Sequence, residues 1–261
     1  MIKALNTAAT GMKAQQTNMD VTSNNLANVN TTAFKKSRAE FEELMYQTEK
    51  EPGTTTGLNA ISPTGVQVGL GVKTASVQKS FEEGSPKVTN KPLDLQIEGA
   101  GFFIVQRPNG ELAYTRDGSF RRDNEGRIID KNGNTLMPEM VIPRETIALA
   151  VAPNGTVEIK TNNGPETQVL GQIEIANFVN PVGLKAIGQN LYVPSPGSGA
   201  PYQAIPGSEN LGRIAAGQLE ASNVNLVDEM VNMMTSQRAF ETNSKAMQAA
   251  DQMLQAINGL R

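Results

Sequence analysis

The last forty residues of the chain, residues 222–261, carry apolar side chains at a seven-residue repeat. The members of the repeat are Leu226, Met233, Phe240, Met247 and Leu254, with Met230 and Ile257 beside it. This spacing is typical of a helix that packs lengthwise against other helices. We expect Asn225 to cap the start of that helix and Gly259 to end it. At about 34 residues, the helix would be roughly 50 Å long.

A second repeat of the same period occupies the first thirty residues and predicts a helix that stops near Asn28, in an asparagine-rich run. Its members are Leu5, Met12, Met19 and Leu26, with Ile2 beside them. The two helices can pair if the middle of the chain folds back between them. Two ordinary amphipathic helices that cover one globular core are the alternative, because a short heptad run is a weak signal.

Polar side chains interrupt both repeats at positions that a two-helix core would fill with apolar groups. They are Gln16, Ser23, Gln237, Ser244 and Asp251. Such residues weaken an isolated helix pair but are tolerated where each helix touches several neighbours. We therefore predict that both ends of the free monomer are disordered and become ordered on assembly.

The middle of the chain has the alternating pattern of β-strands. Residues 102–105 indicate a buried strand, and residues 169–178 indicate one long strand. Asn154-Gly155 predicts a type I′ hairpin turn between flanking strands. The predicted fold class is α+β: long N- and C-terminal helices pair as a coiled-coil-like domain, with an inserted, mainly antiparallel all-β domain and extended connecting segments.

The predicted domain limits follow this pattern. Residues 1–34 and 221–261 form the helical domain, residues 93–194 form the β domain, and residues 35–92 and 195–220 form the extended connecting region. Within that region, residues 46–65 are rich in Pro, Gly and Thr. Such a long irregular segment is usually functional or disordered.

Composition excludes several classes of function. With a net charge of −3, the composition gives no indication of a basic face, so nucleic acid and anionic membranes are poor partners. No apolar run reaches the ~20 residues that span a bilayer, and the N-terminus lacks the pattern of a secretory signal. The chain has no Cys, His or Trp, so thiol and imidazole chemistry are absent. We predict no cofactor, no metal and no catalytic residue.

Carboxylates leave one enzymatic alternative, a β domain that binds or hydrolyses cell-wall glycan. Asp94, Glu98, Asp117 and Asp123 are the candidates for a glycosidase pair. A monomeric β-rich binding module is a third alternative. It predicts ordered termini in the isolated protein.

Several long motifs resemble those of the bacterial flagellar rod and hook proteins. The N-terminal motif is SNNLANVNTTAFK at residues 23–35, and the C-terminal motifs are SNVNLVDEM at 222–230 and QRAFETNSK at 237–245. In the middle, GFF at 101–103 and YTRDGSF at 114–120 are also similar to the family. The resemblance covers nearly the whole chain. Its length and the 46–65 segment resemble the distal rod members most.

The resemblance implies a structural subunit, not an enzyme. It implies a helical polymer that crosses the periplasm as the distal rod and transmits motor torque to the hook; another axial protein, of the proximal rod or hook, is the alternative. The implied partners are other copies of the chain, the proximal rod proteins, the hook protein, the surrounding ring proteins and the flagellar export apparatus. Neither nucleic acid nor membrane insertion is implied, and export proceeds without a cleaved signal peptide.

Two sets of site residues follow. The polymer interface is predicted along the helix repeats, at Ile2, Leu5, Met12, Met19, Leu26, Leu226, Met230, Met233, Phe240, Met247, Leu254 and Ile257. The segment that the resemblance implies is responsible for rod stiffness is predicted at Tyr46, Pro52, Thr54, Thr55, Thr56 and Pro63.

Overall fold

A computed structural model describes residues 2–52, 55–57, 60–61, 64–161, 167–208 and 211–259. Helix α1 covers Ile2–Ala27 and helix α2 covers Leu226–Gly259, with antiparallel β-structure between them in sequence. The α+β class is confirmed. The two helices contact each other, while a coiled-coil geometry for their pairing stays a prediction.

The chain divides into two compact units. The first unit contains Met1–Ala27, Ser37–Lys79 and Asn225–Arg261, and the second contains Asn28–Lys36 and Ser80–Val224. The three-part division drawn from the sequence stays a prediction.

The end of α1 and the start of α2 match the local sequence signals. Helix α1 stops at Ala27, next to the asparagine-rich run. Helix α2 begins at Leu226, and the Asn225 Oδ1 atom accepts a hydrogen bond from the Val227 amide at 3.1 Å. This bond satisfies one of the free amides in the first turn. The predicted start and cap of α2 are confirmed, and the helix reaches Gly259, the predicted end.

The first unit also holds a two-stranded antiparallel ribbon, formed by the described parts of residues 37–79. Its strands are β1 Ser37–Glu43, β2 Tyr46–Lys50, β3 Thr55–Gly57, β4 Ala60–Ile61, β5 Val66–Gly69 and β6 Val72–Lys79. Strand β1 pairs with β6, β2 with β5, and β3 with β4. Hydrogen bonds from Leu44 N to Gly71 O at 2.8 Å and from Leu70 N to Met45 O at 3.3 Å join the first two pairs.

The second unit contains the remaining strands. They are β7 Pro86–Val88, β8 Leu95–Glu98, β9 Phe102–Gln106, β10 Leu112–Thr115, β11 Arg121–Arg122, β12 Ile128–Ile129, β13 Thr135–Leu136, β14 Thr146–Val151, β15 Thr156–Thr161, β16 Thr167–Gln172, β17 Ile175–Asn177, β18 Lys185–Gly188, β19 Leu191–Val193, β20 Tyr202–Ala204, β21 Arg213–Ala216 and β22 Gln218–Glu220. The largest sheet has the order β11-β12-β13-β9-β10-β19-β18, with β17 joining β9 to β20. Strands β14-β15-β16 form a second sheet, while β8 pairs with β21 and β7 with β22.

Strand β9 lies at the centre of the apolar core. Phe103 and Val105 belong to one buried cluster, and Phe102 and Ile104 belong to another. Because successive side chains of a strand point to opposite faces, both faces of β9 are covered. This accounts for the continuous apolar run at residues 102–105, and the predicted buried strand is confirmed.

Two sequence predictions in this unit need correction. The β14–β15 hairpin is confirmed, but its turn is not type I′, because Gly155 has a φ of 83° while Asn154 has no positive φ. Pro153 holds φ negative at the first turn position, where type I′ needs a positive value. The single strand predicted at 169–178 is also wrong, since β16 pairs with β15 whereas β17 pairs with β9 and β20. The alternation of apolar and polar residues does not show where the chain leaves one sheet and enters another.

Candidate functional site

Polar side chains join α1 to α2 within the first unit. The Asn25 Nδ2 atom donates to Glu229 Oε2 at 3.3 Å, and Asn18 Nδ2 donates to Ser236 Oγ at 2.8 Å. From one pair to the next, the residue number falls by seven in α1 and rises by seven in α2. The two helices are therefore antiparallel. We call these two hydrogen-bonded pairs the polar ladder.

The next step of seven brings Gly11 against Asn243. A Cβ atom added at Gly11 would lie 3.0 Å from Asn243 Nδ2. Glycine therefore allows the backbone of α1 to approach the asparagine side chain closely at this position.

The residues of the predicted helix interface differ in burial, since most are half-buried and two are exposed to solvent. Its half-buried members are Leu5, Met12, Met19, Leu26, Met233, Phe240, Met247 and Leu254. Leu226 and Met230 are exposed. The side chains of Ile2 and Ile257 lie outside the described residues. The assignment of these positions to a polymer interface stays a prediction.

An exposed apolar surface follows the first two turns of α2. Val227, Met230, Val231 and Met234 are between 48% and 65% exposed. Their spacing of three and four residues places them on one face of the helix. We call this face the α2 stripe. The sequence reasoning selected only Met230 from it, although the spacing carried the signal.

The ribbon exposes apolar side chains as well. Met45 is 83% exposed, and Tyr46, Val66 and Val68 are also exposed. Of the predicted stiffening residues, Tyr46 lies in β2 and Pro52 is exposed beyond it, in the loop that follows β2.

The other predicted stiffening residues are described only in part. Thr55 and Thr56 belong to β3, but their side chains lie outside the described residues. Thr54 and Pro63 lie outside the described residues altogether.

A buried charge cluster occupies the second unit. The Lys35 Nζ atom lies 2.5 Å from Glu220 Oε1, and both side chains are 0% exposed. Arg116 Nη1 lies 3.7 Å from Glu220 Oε2, and Arg116 also donates to the carbonyl oxygens of Ile97 and Gly99. We call Lys35, Arg116 and Glu220 the junction cluster.

Hydrogen bonds from backbone groups and from the Glu220 and Asn223 side chains tie the surrounding segments together. Ala33 N donates to Glu220 O at 2.8 Å, and Gly84 N donates to Glu220 Oε1 at 2.9 Å. Asn223 accepts a bond from Lys36 N at 2.7 Å and donates to Ser80 O at 2.9 Å. Three segments that are distant in sequence are therefore held together around Glu220 and Asn223.

The junction cluster contains two cations and one anion. Burial lowers the pKa of Lys35, with Glu220 opposing the shift. Burial also lowers the pKa of Arg116, again opposed by Glu220. Burial raises the pKa of the neighbouring Tyr192 to about 12. These shifts share one cause, the cost of charge in a low-dielectric interior.

The carboxylates considered for glycan chemistry have separate structural partners. Asp117 Oδ2 accepts from Lys131 Nζ at 2.6 Å, Asp123 Oδ2 from Arg127 Nη2 at 3.2 Å, and Glu98 Oε1 from Gln218 Nε2 at 3.2 Å. Asp94 is buried.

The described part of the chain offers neither a metal site nor a membrane-spanning helix. No group of three or more acidic side chains is placed to hold a metal ion. Neither helix, as far as it is described, has an apolar stretch sufficient to cross a membrane.

Three family models match parts of the chain. They are "Flagella basal body rod protein" at residues 5–35, "Flagellar hook protein FlgE/F/G D1 domain" at 96–159, and "Flagellar basal body rod FlgEFG protein C-terminal" at 215–260. The junction cluster takes one charged residue from each match.

Full-length relatives agree with these matches. The flagellar basal-body rod protein FlgG of Borreliella burgdorferi is 48% identical over 100% of this chain and 99% of its own length. The FlgG proteins of Caulobacter vibrioides and Bacillus subtilis are 46% and 37% identical, each with 100% of both chains covered.

The chain belongs to the FlgG family of flagellar basal-body rod proteins. The resemblance stated from the motifs is confirmed. In this FlgG-family chain, the 23–35 motif supplies Lys35 and the 114–120 motif supplies Arg116. Glu220 comes two residues before the 222–230 motif. Sequence reasoning recognised these motifs but did not bring their charged side chains together.

Proposed function

We propose that this chain is a structural subunit of the flagellar distal rod and polymerises helically into the shaft that crosses the periplasm and carries torque to the hook. The full-length likeness to FlgG proteins is the observation that carries the proposal. Its partners are other copies, the proximal rod proteins, the hook protein, the surrounding rings and the export apparatus. It has no enzymatic role, and the flagellar export apparatus carries it out of the cell interior.

The packing of the first unit supports assembly. Among its described residues, the buried apolar side chains are Ala14, Ala39 and Ala250. Three alanines contribute little hydrophobic stabilisation against the conformational entropy of ordering two helices and a ribbon. Contacts with further copies supply the missing burial.

The two helices differ in what they expose. Residues 3–27 of α1 expose no large apolar side chain, whereas α2 exposes the α2 stripe. We propose that the stripe meets a different surface on a second copy, which makes the contact heterologous. Heterologous contacts that do not close into a ring build open helical polymers.

Electron microscopy of concentrated, purified protein tests the proposal. We expect straight tubes from the parent chain and none, at equal concentration, from Met230→Ser/Met234→Ser. Met253→Ser is the matched control, because Met253 is 52% exposed on the same helix but off the stripe. Protein that stays monomeric at every concentration contradicts the assembly proposal. Equal assembly of both variants contradicts the role of the stripe.

The ribbon is proposed to stiffen the polymer by lying along a neighbouring copy. An isolated two-stranded hairpin is at best marginally stable in water, and this ribbon exposes Met45, Tyr46, Val66 and Val68. Burial of these side chains on a neighbour stabilises the ribbon and restricts bending at that contact.

The strand register allows the end of the ribbon to be removed while the β2–β5 pairing is kept. Lys50 and Val66 are cross-strand partners, so an Asn-Gly turn can replace residues 51–65. We expect this variant to polymerise into curved tubes. The same replacement of residues 162–166, between β15 and β16, is the control and leaves tubes straight. A straight tube of normal stiffness from the first variant would show that the segment is a tolerated loop.

A further inference from the structure

A cavity of about 340 Å³ adjoins the junction cluster within the second unit. Phe81, Phe102, Ala100 and Pro181 give it apolar walls, and Arg116 also lines it. The Phe102 ring lies under the Arg116 guanidinium, with 5.5 Å between Cζ and the ring centroid. The cavity thus combines an apolar lining with one buried cation.

Arg116 is incompletely satisfied. Its Nη atoms donate to Ile97 O at 3.2 Å and Gly99 O at 2.8 Å. Its Nε–H has no acceptor among the described residues, although the side chain is only 4% exposed. A buried donor without a partner carries a desolvation cost, and this cost is larger when the group is charged.

The charges around Arg116 do not balance in the interior. Lys35 and Arg116 are buried cations, and Glu220 is the one buried anion within reach of them among the described residues. Glu82 and Glu83 line the cavity but are exposed to solvent, and Glu82 also lies 3.5 Å from Lys36 Nζ. Buried charges are ordinarily paired, so one further anion would complete the cluster.

We propose that this cavity binds a carboxylate group, which accepts a hydrogen bond from the Arg116 Nε–H and places its alkyl portion against Phe81, Phe102 and Pro181. A carboxylate matches the planar guanidinium and brings a single negative charge. A dianion fits less well, because Glu82 and Glu83 repel it at the cavity walls. The inference concerns the second unit alone and does not depend on the proposed assembly.

Nuclear magnetic resonance of the full-length protein, at a concentration where sedimentation shows monomer, tests the site. Propionate is titrated at constant pH and ionic strength, with sodium chloride as the reference. We expect a saturable shift of the Arg116 Nε–Hε signal and of the Gly99 and Gly101 amides. The reference titration should not shift these signals.

Two variants assign the effect to this cavity. Glu83→Gln should tighten propionate binding about threefold, because it removes one nearby like charge. Glu158→Gln, in β15, is the matched control and should leave affinity unchanged. Arg116→Lys should abolish the saturable shift at the two glycine amides, since lysine has a methylene group where arginine has the Nε–H donor.

Three results would overturn the inference. They are shifts that stay linear in propionate, equal shifts with chloride, and an unchanged affinity in Glu83→Gln. The Glu83 variant keeps the test decisive even if Arg116→Lys does not fold. In each of these outcomes, the cavity is not a carboxylate site built on the Arg116 Nε–H.

Discussion

The two units of this chain are built from different interiors. In the second unit, strand β9 has large apolar side chains on both faces, and Ile97, Phe103 and Val105 are 0% exposed. In the described part of the first unit, the buried apolar residues are three alanines, and Thr22, Asn25, Glu229 and Ser236 occupy other buried positions. The second unit has the core of an independent domain. The first unit has small and polar contacts that suit completion by other copies.

Ion pairs show the same contrast. Lys35 and Glu220 are fully buried in the second unit, whereas Lys3 and Glu49 in the first unit are 47% and 53% exposed. Exposed pairs contribute about 0–1 kcal/mol, while removal of one partner from a buried pair is strongly destabilising. The buried Lys35–Glu220 pair therefore holds segments of the second unit in place. The exposed Lys3–Glu49 pair adds little to the stability of the first unit.

Glu220→Gln should have the largest effect, because it leaves Lys35 and Arg116 buried without their anion. We expect a loss of about 3–5 kcal/mol in the free energy of unfolding, measured by urea denaturation of the second unit. Glu49→Gln is the control and should change stability by less than about 1 kcal/mol. Equal effects of the two substitutions would remove the contrast between the ion pairs.

Phe240→Ala should impair assembly more than folding. Phe240 is half-buried in the monomer, and loss of a fully buried Phe costs about 3–5 kcal/mol. If other copies complete its burial, the larger part of that cost falls on polymerisation, measured as the critical concentration by sedimentation.

Phe103→Ala is the counterpart in the second unit. Because Phe103 is 0% exposed, this variant should lower the melting temperature of the second unit itself. A normal polymer from Phe240→Ala, or a destabilised second unit in that variant, would contradict the assignment.

Asn18→Leu combined with Ser236→Ala should stabilise the free helix pair by about 1 kcal/mol. Replacement of both hydrogen-bonding partners by apolar groups avoids an unsatisfied donor and adds apolar burial. Slower proteolysis of both termini in the dilute monomer measures the gain. Gln16→Leu, at an exposed position, is the control. Termini that resist proteolysis in the parent monomer would contradict the predicted disorder of the free ends.

Asp130→Asn should have the smallest effect, confined to the pH dependence of the second unit. Burial and then Asp117 raise the pKa of Asp130 above 3.8. The folded state therefore holds this proton more tightly, and stability falls as pH rises from 3.8 through the folded-state pKa. The substitution should remove that slope in chemical denaturation measured between pH 3.5 and about 7.

Asp123→Asn should change the pH dependence of stability in the opposite direction. The Asn124 amide and then Arg127 lower the pKa of Asp123, so its contribution is present above pH 3.8 and is lost as pH falls through the lower value. The same slope in Asp130→Asn and in the parent chain would show that Asp130 does not cause it.

The sequence by itself determined the features that depend on neighbouring residues. These include the Asn225 cap at the start of α2, the end of α1 near Asn28, the buried strand at 102–105 and the β14–β15 hairpin. Each is set by side-chain period or by hydrogen bonds within one turn, so a short window of sequence contains the necessary information. The family motifs were equally local.

Only the tertiary structure decided which distant surfaces meet. Lys35 and Glu220 are 185 residues apart, and no periodicity relates them. The repeats predicted apolar helix contacts, yet Asn18 and Ser236 face each other across the helices. The rotation of each helix about its axis, the sheet that a strand joins and the partner of a buried charge all depend on the packing of the whole unit. A single short segment of sequence therefore does not contain the information that sets them.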